Sequence, residues 1–593
     1  MGTSSAWAQK QKKSGTIWGL VRPAALLTAL LMPACSSPDT GGERYDIVLR
    51  GGRVIDGTGG TWFYADVGVR DGRIAAVGDL NQASAAEVID ATGRVVTPGF
   101  IDMHTHSDFS LLRDGRGLSK IRQGVTTEIL GEGSSVAPRK PGAGGGGYGI
   151  EADWTTLRGY FERLESSGTS GNVMSYIGAG QLRRYVMGEG VQRKPTAEEL
   201  EEMKRLLDEG MKDGAVGLVM ALETPGQEQL GPEGRPSDAV PGTQELIELA
   251  KVTAPYGGIY GTHMRDQGAH IVEAIEEAAT IGEQGGVRVE IFHLKAAGRP
   301  NFGKMGQALA AIEAARRRGV DIAADVYPYI AASHGLSTEI PRWAHEGGTE
   351  KFLARLADPE LRPRIKREVT QYMNTKYYNE TTGASGFNAV IVASVPKNPE
   401  QYVGKTLGEI AREQGKAPDD LALDLFIEQG GDVGIVMFYM SEKDVQLALR
   451  HPLLSFDSDG TAASPDFGGK PHPRWYGTFP RVLGHYVRDL GVGTLEDVVR
   501  RMTSLPAQRM GLLDRGLIRP GMWADLVVFD PARVNDRATF DNPHQFPEGI
   551  GDVIVNGVVV IRNGEHTGAL PGRALFGRGR TDTGVARQAR ATS

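Results

Sequence analysis

The chain has 593 residues but only one cysteine, so no disulfide can form within it. Its stability must therefore come from burial of apolar side chains. It also lacks a basic excess, because 66 Lys and Arg stand against 73 Asp and Glu, a formal net charge of -7. That balance gives no electrostatic footprint for nucleic acid. The composition, with 40% hydrophobic and 23% charged residues, is that of a globular protein and excludes a disordered chain.

The apolar run near the N-terminus, residues 24–32, is too short for a membrane-spanning helix. Basic residues precede it, and this order is typical of a secretory signal. Cys35 follows almost at once, in a context that resembles the lipobox of bacterial lipoproteins, although Met32 is atypical there. We expect residues 1–35 to be a signal peptide and residues 36–44 a linker. Export to the periplasm or cell envelope with a lipid on Cys35 is favoured over simple secretion.

Short apolar segments separated by tight turns occur near both ends of the chain. Asp71-Gly72 and Asn556-Gly557 each join two such segments, and these dipeptides are strong signals for β-hairpins. We expect one small β-sandwich domain built from residues 45–97 and 510–575. That domain would enclose the middle of the chain between its two halves.

The middle of the chain alternates apolar strand-like runs with helical patterns, which predicts βα units and a parallel sheet. Thr196 and Glu199 have the spacing of a helix capping box. We expect an α/β fold, a (β/α)8 TIM-like barrel over residues 98–509. Residues 341–432 interrupt the alternation and are interpreted as an insertion over the barrel mouth that could act as a lid. Residues 576–593 form a tail.

Two histidines one residue apart, His104 and His106, close an apolar run that begins near Val95. Side chains on a β-strand alternate between its faces, so both imidazoles point the same way. Two imidazoles on one face can reach a single metal ion. A His-x-His pair also occurs by chance. The residues at the other strand ends therefore decide whether His104 and His106 are metal ligands or a chance pair.

Reactive groups of a barrel enzyme come from the C-terminal ends of several strands. Glu132 follows an apolar run, His263 and His293 each close another, and Asp459 ends a late one. Taken singly, Glu132 could be a carboxylate in a solvated loop, and Asp459 could simply belong to an Asp-Gly turn. Each histidine could be a buried core residue with a hydrogen-bond partner. Taken together, they predict a metal centre, because the chain has only 12 histidines.

Nitrogen and oxygen ligands of this kind suit Zn²⁺, one or two ions, with Mn²⁺, Co²⁺ or Fe²⁺ as alternatives. Two neighbouring ions need a bridging anion, and Glu132 is the natural candidate. A metal lowers the pKa of bound water to about 7 and so produces hydroxide at neutral pH. Asp459 could take the proton of that water and pass it to a leaving amine. This chemistry hydrolyses an amide or ester.

Ordered motifs across residues 45–575 resemble the amidohydrolase superfamily and, within it, the N-acyl-D-amino-acid deacylases. The matching phrases are residues 98–108, 124–127, 262–266, 293–298, 325–329, 458–460, 472–481 and 521–529. The resemblance implies that His104, His106 and Asp459 bind one metal and that His263 and His293 bind a second. Asp459 would also be the catalytic acid/base. The residues implied to line the substrate pocket are Arg265, Lys295, Tyr327 and Arg474.

The chain departs from the family pattern at two places. The loop after Gly124-Val125-Thr126-Thr127 lacks the cysteine that holds metal in the D-aminoacylases, and Glu132 could substitute for it as a bridging ligand. The second departure is Ala179 between two glycines, where the family often has histidine. Pocket contacts near Ala179 are therefore expected to differ.

The resemblance implies a metal-dependent hydrolase that removes the acyl group from N-acyl-D-amino acids by hydroxide attack on the amide. A free carboxylate on this small-molecule substrate would suit an arginine, since guanidinium binds carboxylates in bidentate fashion. Three alternatives stay open: hydrolysis of a cyclic amide, as in dihydroorotases and hydantoinases; a dipeptidase; and a surface-anchored binding lipoprotein without catalysis.

Overall fold

A computed structural model describes residues 44–143, 148–188, 193–222 and 241–580. The expected signal peptide with Cys35, nearly all of the linker and residues 581–593 of the tail lie outside the described residues.

The secondary structure of the described residues alternates between strands and helices through most of the chain. The strands are β1 (Arg44–Val54), β2 (Phe63–Arg70), β3 (Arg73–Gly78), β4 (Ser84–Asp90), β5 (Val95–Pro98), β6 (Phe100–Thr105), β7 (Val125–Leu130), β8 (Asn172–Ser175), β9 (Ile177–Gly178), β10 (Gly217–Ala221), β11 (Ile259–His263), β12 (Arg288–Ile291), β13 (Ile322–Val326), β14 (Ala331–Gly335), β15 (Val390–Ser394), β16 (Gly434–Phe438), β17 (Leu454–Phe456), β18 (Leu526–Phe529), β19 (Ile550–Val555), β20 (Val558–Arg562) and β21 (Glu565–His566). The α-helices are α1 (Ser110–Arg113), α2 (Leu118–Ile121), α3 (Leu157–Ser167), α4 (Ala179–Met187), α5 (Ala197–Asp213), α6 (Thr243–Thr253), α7 (Ile271–Gly285), α8 (Met305–Arg317), α9 (Thr349–Ala357), α10 (Arg362–Lys376), α11 (Pro399–Tyr402), α12 (Leu407–Gln414), α13 (Pro418–Glu428), α14 (Glu442–Leu449), α15 (Arg474–Arg481), α16 (Leu495–Met502) and α17 (Ser504–Met510).

A large β-sheet combines strands from both ends of the described chain. Its order is β21-β20-β19-β18-β5-β1-β2-β3, with β4 paired to β1. The junction between the two halves is the antiparallel pair β5 and β18, in which Thr97 lies opposite Val527. Apolar residues of this sheet, including Val54, Val67 and Leu526, form a buried cluster. The predicted small β-domain from both ends is thus present.

Two of its hairpin turns use the dipeptides found in the sequence. Asp71 and Gly72 have φ of 52° and 76°, and Asn556 and Gly557 have φ of 51° and 80°. Positive φ at both central residues gives the twist that a two-residue hairpin needs. The turns also touch, since a Cβ on Gly557 would lie 2.4 Å from the Cα of Gly72. Glycine is therefore required at this contact between the two ends of the chain.

The parallel strands between these halves close into a barrel. β6, β7 and β8 form one sheet, and β9 to β13 continue it in chain order to β17. β8 and β9 are a single strand interrupted at Tyr176, and a parallel bridge between Thr105 and Gly460 joins β17 back to β6. Helices separate the successive strands, and the strands are buried on both faces, as expected when helices cover a parallel sheet. The (β/α)8 prediction is confirmed.

One barrel helix illustrates how local sequence sets its start. The Thr196 side chain accepts a hydrogen bond from Glu199 N at 3.2 Å, and Glu199 Oε2 accepts one from Thr196 N at 2.8 Å. This is the capping box that the sequence indicates for α5, and it satisfies two backbone donors at the helix N-terminus.

The insertion between β13 and β17 carries its own three-stranded antiparallel sheet, in the order β14-β16-β15. Helices α9 to α13 pack with it around a separate hydrophobic cluster. The insertion sheet starts at Ala331 and ends at Phe438, so the expected bounds of 341–432 are too narrow. The cause is that β14 and β16 are short apolar runs, which a sequence pattern does not distinguish from barrel strands.

Candidate metal centre

Six side chains reach the same end of the barrel because each lies at or just after the C-terminal end of a parallel strand. They are His104 in β6 and His106 beyond it, Glu132 beyond β7, His263 at the end of β11, His293 beyond β12, and Asp459 beyond β17. This end is where barrel folds assemble reactive groups. The structure therefore brings together all six residues that the sequence assigns to metal binding.

Glu132 lies at the centre of one half of this cluster. Its Oε1 is 3.0 Å from His263 Nδ1, 3.2 Å from His293 Nε2 and 3.7 Å from His104 Nε2. A single carboxylate oxygen thus faces three imidazole nitrogens. This is the position that a carboxylate shared between two cations would occupy.

Asp459 occupies the other half. Its Oδ1 is 3.0 Å from His106 Nε2 and 3.7 Å from His104 Nε2, and its Oδ2 is 3.0 Å from Arg474 Nη1. His104 therefore lies between the two carboxylates. The ligand atoms form three overlapping groups, each within 4.8 Å: His104, His106 and Glu132; His104, His293 and Asp459; Glu132, His263 and His293.

Two of the six residues have left-handed backbone conformations. His293 has φ of 39° and Asp459 has φ of 42°. This region is unfavourable for residues with a Cβ and persists only where surrounding contacts impose it. Both lie where the chain turns sharply after a barrel strand, which directs their side chains across the barrel mouth.

Burial keeps the inner imidazoles neutral. It holds the pKa of His104 well below its usual value, and burial together with the charge of Lys295 lowers the pKa of His293 to about 4. A neutral imidazole is the form that binds a metal. The two side chains are thus in the ligating form at neutral pH.

The two carboxylates are ionised. Burial works to raise the pKa of Glu132, but hydrogen bonds from His263 and His293 outweigh it and hold the pKa well below its usual value. Burial opposes ionisation of Asp459 too, and the charge of Arg474 holds its pKa well below the ordinary value. Burial would lower the pKa of His106, but its hydrogen bond to Asp459 raises it instead.

A divalent metal fits this donor set. Both ring nitrogens of His104 are buried and have no hydrogen-bond partner among the described residues, although buried polar groups are normally paired. A cation between the side chains would satisfy Nε2 of His104 and separate the two carboxylates. Imidazole nitrogen and carboxylate oxygen are zinc ligands, with other first-row divalent metals able to bind the same set.

Three of the four expected substrate-pocket residues lie beside this cluster. Lys295 Nζ is 2.7 Å from His293 Nδ1, and both Lys295 and Arg474 line the cavity above the cluster. The Tyr327 ring lies 4.7 Å from the Arg474 guanidinium and 5.2 Å from Lys295 Nζ. Tyr327 is not among the residues that line the cavity, and its hydroxyl is buried and unpaired within the described part of the chain.

Arg265 departs from the expectation that it contacts substrate. Its Nε and Nη2 donate to the Glu277 carboxylate, each at 2.8 Å, and Nη2 also donates to Pro241 O at 3.0 Å. The side chain is fully buried and is not among the residues that line the cavity. Within the described residues, Arg265 therefore joins the end of β11 to α7 and does not border the cavity.

The cavity over the cluster has a volume of about 550 Å³, a size typical of small-molecule sites. The barrel supplies the floor, and the insertion supplies part of the wall. The larger polar and aromatic residues of the cavity that the sequence did not assign to the pocket include Arg113, Tyr148, His334, Asp432, Tyr439 and Trp475. Only Trp475 had a local signal, since it follows Arg474 in its motif; the others come from loops and the insertion.

The sequence model of the amidohydrolase family matches residues 87–561 of this chain. The chain belongs to the amidohydrolase family. It is 38% identical to D-aminoacylase of Alcaligenes xylosoxydans xylosoxydans over 90% of this chain and 98% of that protein. It is 34% identical to N-acyl-D-glutamate deacylase of the same organism over 90% of this chain and 97% of that protein.

Solved structures give the same neighbours for this amidohydrolase. A crystal structure of D-aminoacylase superposes with a TM-score of 0.72 and 37% identity, covering 90% of this chain and all of that one. A second structure is N-acyl-D-glutamate deacylase from Bordetella bronchiseptica, complexed with zinc and a phosphonate mimic of the tetrahedral intermediate. It superposes with a TM-score of 0.73 and 31% identity, covering 90% of this chain and all of that one. These structures share the barrel and β-sandwich architecture.

The second departure of this amidohydrolase from the deacylase pattern lies beside the Glu132 loop. A Cβ on Gly180 would lie 2.4 Å from Gly133 O, and one on Gly178 would lie 2.9 Å from the same oxygen. The glycines thus allow the start of α4 to pack against the loop that carries Glu132. Ala179 between them is fully buried and does not line the cavity.

Proposed function

We propose that this amidohydrolase is a metal-dependent N-acyl-D-amino-acid deacylase. The observation that carries the proposal is the convergence of four imidazoles and two carboxylates on one centre. Relatives that cover nearly the whole chain are a D-aminoacylase and the deacylases of N-acyl-D-glutamate and N-acyl-D-aspartate. The product would be a free D-amino acid and a carboxylic acid.

We assign His104, His106 and Asp459 to one metal position and His263 and His293 to a second. Glu132, whose Oε1 faces three imidazole nitrogens, would bridge the two metal positions. It would be a metal ligand in place of the cysteine expected from the D-aminoacylase pattern. Zinc is the proposed metal, in one or two ions. When bound, it would make a water acidic enough to attack at neutral pH and would polarise the amide carbonyl.

Asp459 is the proposed acid/base. It is ionised and borders the cavity, so it can accept a proton from the attacking water and return it to the departing amine nitrogen. Its hydrogen bond to His106 and its ion pair with Arg474 fix the carboxylate on both sides. Without that proton the amine would leave as a high-energy anion.

We propose that Arg474 and Lys295 receive the carboxylate of the substrate. Both are cationic and border the cavity beside the metal centre. Burial and the Asp459 charge act oppositely on the pKa of Arg474, and the net effect raises it, so the guanidinium stays charged. A fixed cation beside the reacting carbonyl orients an N-acyl amino acid and disfavours substrates without a carboxylate.

The test is a side-by-side assay of N-acetyl-D-amino acids, their L-enantiomers, hydantoin, dihydroorotate and dipeptides. The proposal predicts turnover of the D-substrates, at least about 100-fold faster than of their L-enantiomers, because only one enantiomer aligns its amide with the nucleophile. Faster turnover of a cyclic amide or a dipeptide would replace the proposal with that activity. Ligand binding without any turnover would favour a non-catalytic binding lipoprotein.

We also propose that the protein is exported and carries a lipid on Cys35. The support is the sequence alone, a basic segment and a short apolar run followed by the chain's single cysteine. Within residues 44–143, 148–188, 193–222 and 241–580, no helix is long and apolar enough to cross a membrane. Metabolic labelling with palmitate tests the anchor: the unaltered protein should incorporate label and Cys35→Ala should not.

A further inference from the structure

A buried ammonium lies beneath the loop that carries Asp459. Lys120, on α2, is 1% exposed. Its Nζ donates to Asp102 Oδ2 at 2.9 Å, to Gly460 O at 3.0 Å and to Ser458 Oγ. A lysine ammonium has three N–H donors, so each of them has an acceptor here, and the position of Nζ is closely defined.

Asp102 completes the arrangement from β6. One of its oxygens accepts from Lys120, and the other, Oδ1, accepts from Ser458 N at 2.9 Å. The residues directly before and after Asp459 are therefore both held by the Lys120–Asp102 pair. Asp459 N donates to His104 O at 3.2 Å, which ties the same turn to the metal centre.

The turn needs such contacts because its backbone is strained. Asp459 has φ of 42°, a conformation that is unfavourable for a residue with a Cβ and persists only where the surroundings over-determine it. Release of the flanking residues would let Asp459 relax toward ordinary backbone angles. Its carboxylate would then move from His106 and Arg474, which both lie 3.0 Å away.

Stability alone is a weak explanation for this pair. Both partners are almost fully buried, and buried ion pairs are often no more stabilising than apolar residues of the same volume. A buried ion pair is better explained where it holds a neighbouring reacting group to within a fraction of an ångström. A displacement of about 1 Å at a reacting group can reduce the rate of a reaction about 100-fold.

We propose that Lys120 and Asp102 are positioning residues that hold the 458–460 turn so that the Asp459 carboxylate faces the reacting atoms. This inference rests on the proposed function, in which Asp459 transfers the proton. Neither residue lines the cavity, so neither contacts substrate. Their removal should impair the chemical step more than binding of substrate.

The test uses the zinc-loaded full-length enzyme with Lys120→Met, which keeps an unbranched side chain one atom shorter and removes the charge, and with Asp102→Asn. Three quantities are measured: zinc per chain, kcat per zinc-loaded chain, and KM for an N-acetyl-D-amino acid. The control is Asp525→Asn, which weakens another buried pair, with Arg515, at the opposite end of β6 from His104.

The inference predicts that kcat per zinc-loaded chain falls about 100-fold in Lys120→Met, with KM changed less than about 3-fold. Asp102→Asn should show a smaller loss of the same kind, and Asp525→Asn should lower the melting temperature while its kcat stays unchanged. A kcat per zinc-loaded chain equal to that of the unaltered enzyme in either site variant overturns the inference.

Two results distinguish the ways in which the idea can fail. Absence of D-substrate turnover in the unaltered enzyme refutes the proposed function rather than the positioning role. If Lys120→Met does not fold, Asp102→Asn and Ser458→Ala decide, because each weakens or removes one of the three acceptors of the ammonium. An unchanged kcat in either of them then overturns the inference.

Discussion

In the proposed metal centre, Glu132 is the carboxylate whose Oε1 faces three imidazole nitrogens. We predict that Glu132→Ala weakens zinc binding by at least about 10-fold, the lower end of what loss even of an outer-shell partner costs. The reason is that three imidazoles lose the anion they share. Zinc per chain after dialysis measures the effect, with the exposed Glu273→Ala as control. Equal zinc retention in both variants would exclude Glu132 as a bridge.

Asp459→Asn tests the acid/base assignment. The amide keeps the size of the side chain but neither accepts the proton of the attacking water nor donates one to the amine. We predict a loss of about 10²- to 10⁴-fold in kcat, the usual contribution of general acid–base catalysis. The control is Asp466→Asn, at an exposed position in the short 3₁₀ helix Pro465–Phe467. An Asp459→Asn enzyme with near-normal kcat would contradict the assignment.

Glu128 gives the fold a pH dependence of known sign. Burial raises the pKa of this side chain, which accepts a hydrogen bond from Ser107 Oγ, to about 7 from an ordinary value of 4.5. The unfolded chain therefore loses its proton first as the pH rises. The contribution of Glu128 to the free energy of unfolding therefore falls as the pH rises from 4.5 to about 7, and it levels off above that pH.

Urea denaturation of the metal-free protein at pH 5 and pH 8 measures this effect. The unaltered protein should lose up to about 3 kcal/mol more over this interval than Glu128→Gln, whose side chain does not titrate. Parallel losses in the two proteins would show that Glu128 is ionised in the fold at both pH values.

At the residue scale, the sequence predicted that the six proposed ligands converge, because each one lies at the end of an apolar strand and parallel strands end at one face. Lys120 gave no such signal. It lies in a four-residue helix, and its acceptors are more than 300 positions away except for Asp102. Arg265 is the opposite case, since its motif position suggested a pocket contact, whereas its guanidinium pairs with Glu277 and does not line the described cavity.

At the scale of elements, the insertion shapes the cavity rather than the metal centre. Ser333 on β14 lines the cavity, and its backbone oxygen accepts from Arg474 Nη2 at 3.3 Å. We predict that Ser333→Phe fills part of the cavity and raises KM for N-acetyl-D-amino acids about 10-fold, a cost of about 1.4 kcal/mol, while zinc per chain stays unchanged.

The matched control for that substitution is Gln371→Phe, on the exposed face of α10. A change of KM in both variants would indicate a general disturbance of the insertion. An unchanged KM in Ser333→Phe would place the substrate away from β14. The limits of the insertion were predictable only in part, because strands that leave the barrel have the same apolar pattern as strands within it.

At the scale of the whole molecule, the barrel and the small β-domain followed from strand and turn patterns. The Asp-Gly and Asn-Gly turns lie almost 500 residues apart in sequence, yet Gly72 and Gly557 touch. No local pattern predicts that contact, which depends on the closure of the barrel between them. The roles of the six converging residues depend on the same closure.

An anomalous-difference map at the zinc edge, from crystals of the zinc-loaded enzyme, shows whether the six converging residues form a metal centre. We predict a peak among His104, His106, Glu132, His263, His293 and Asp459, within about 2.1 Å of the imidazole nitrogens that ligate it. Zinc that binds elsewhere, or a centre that stays empty at saturating zinc, would contradict it.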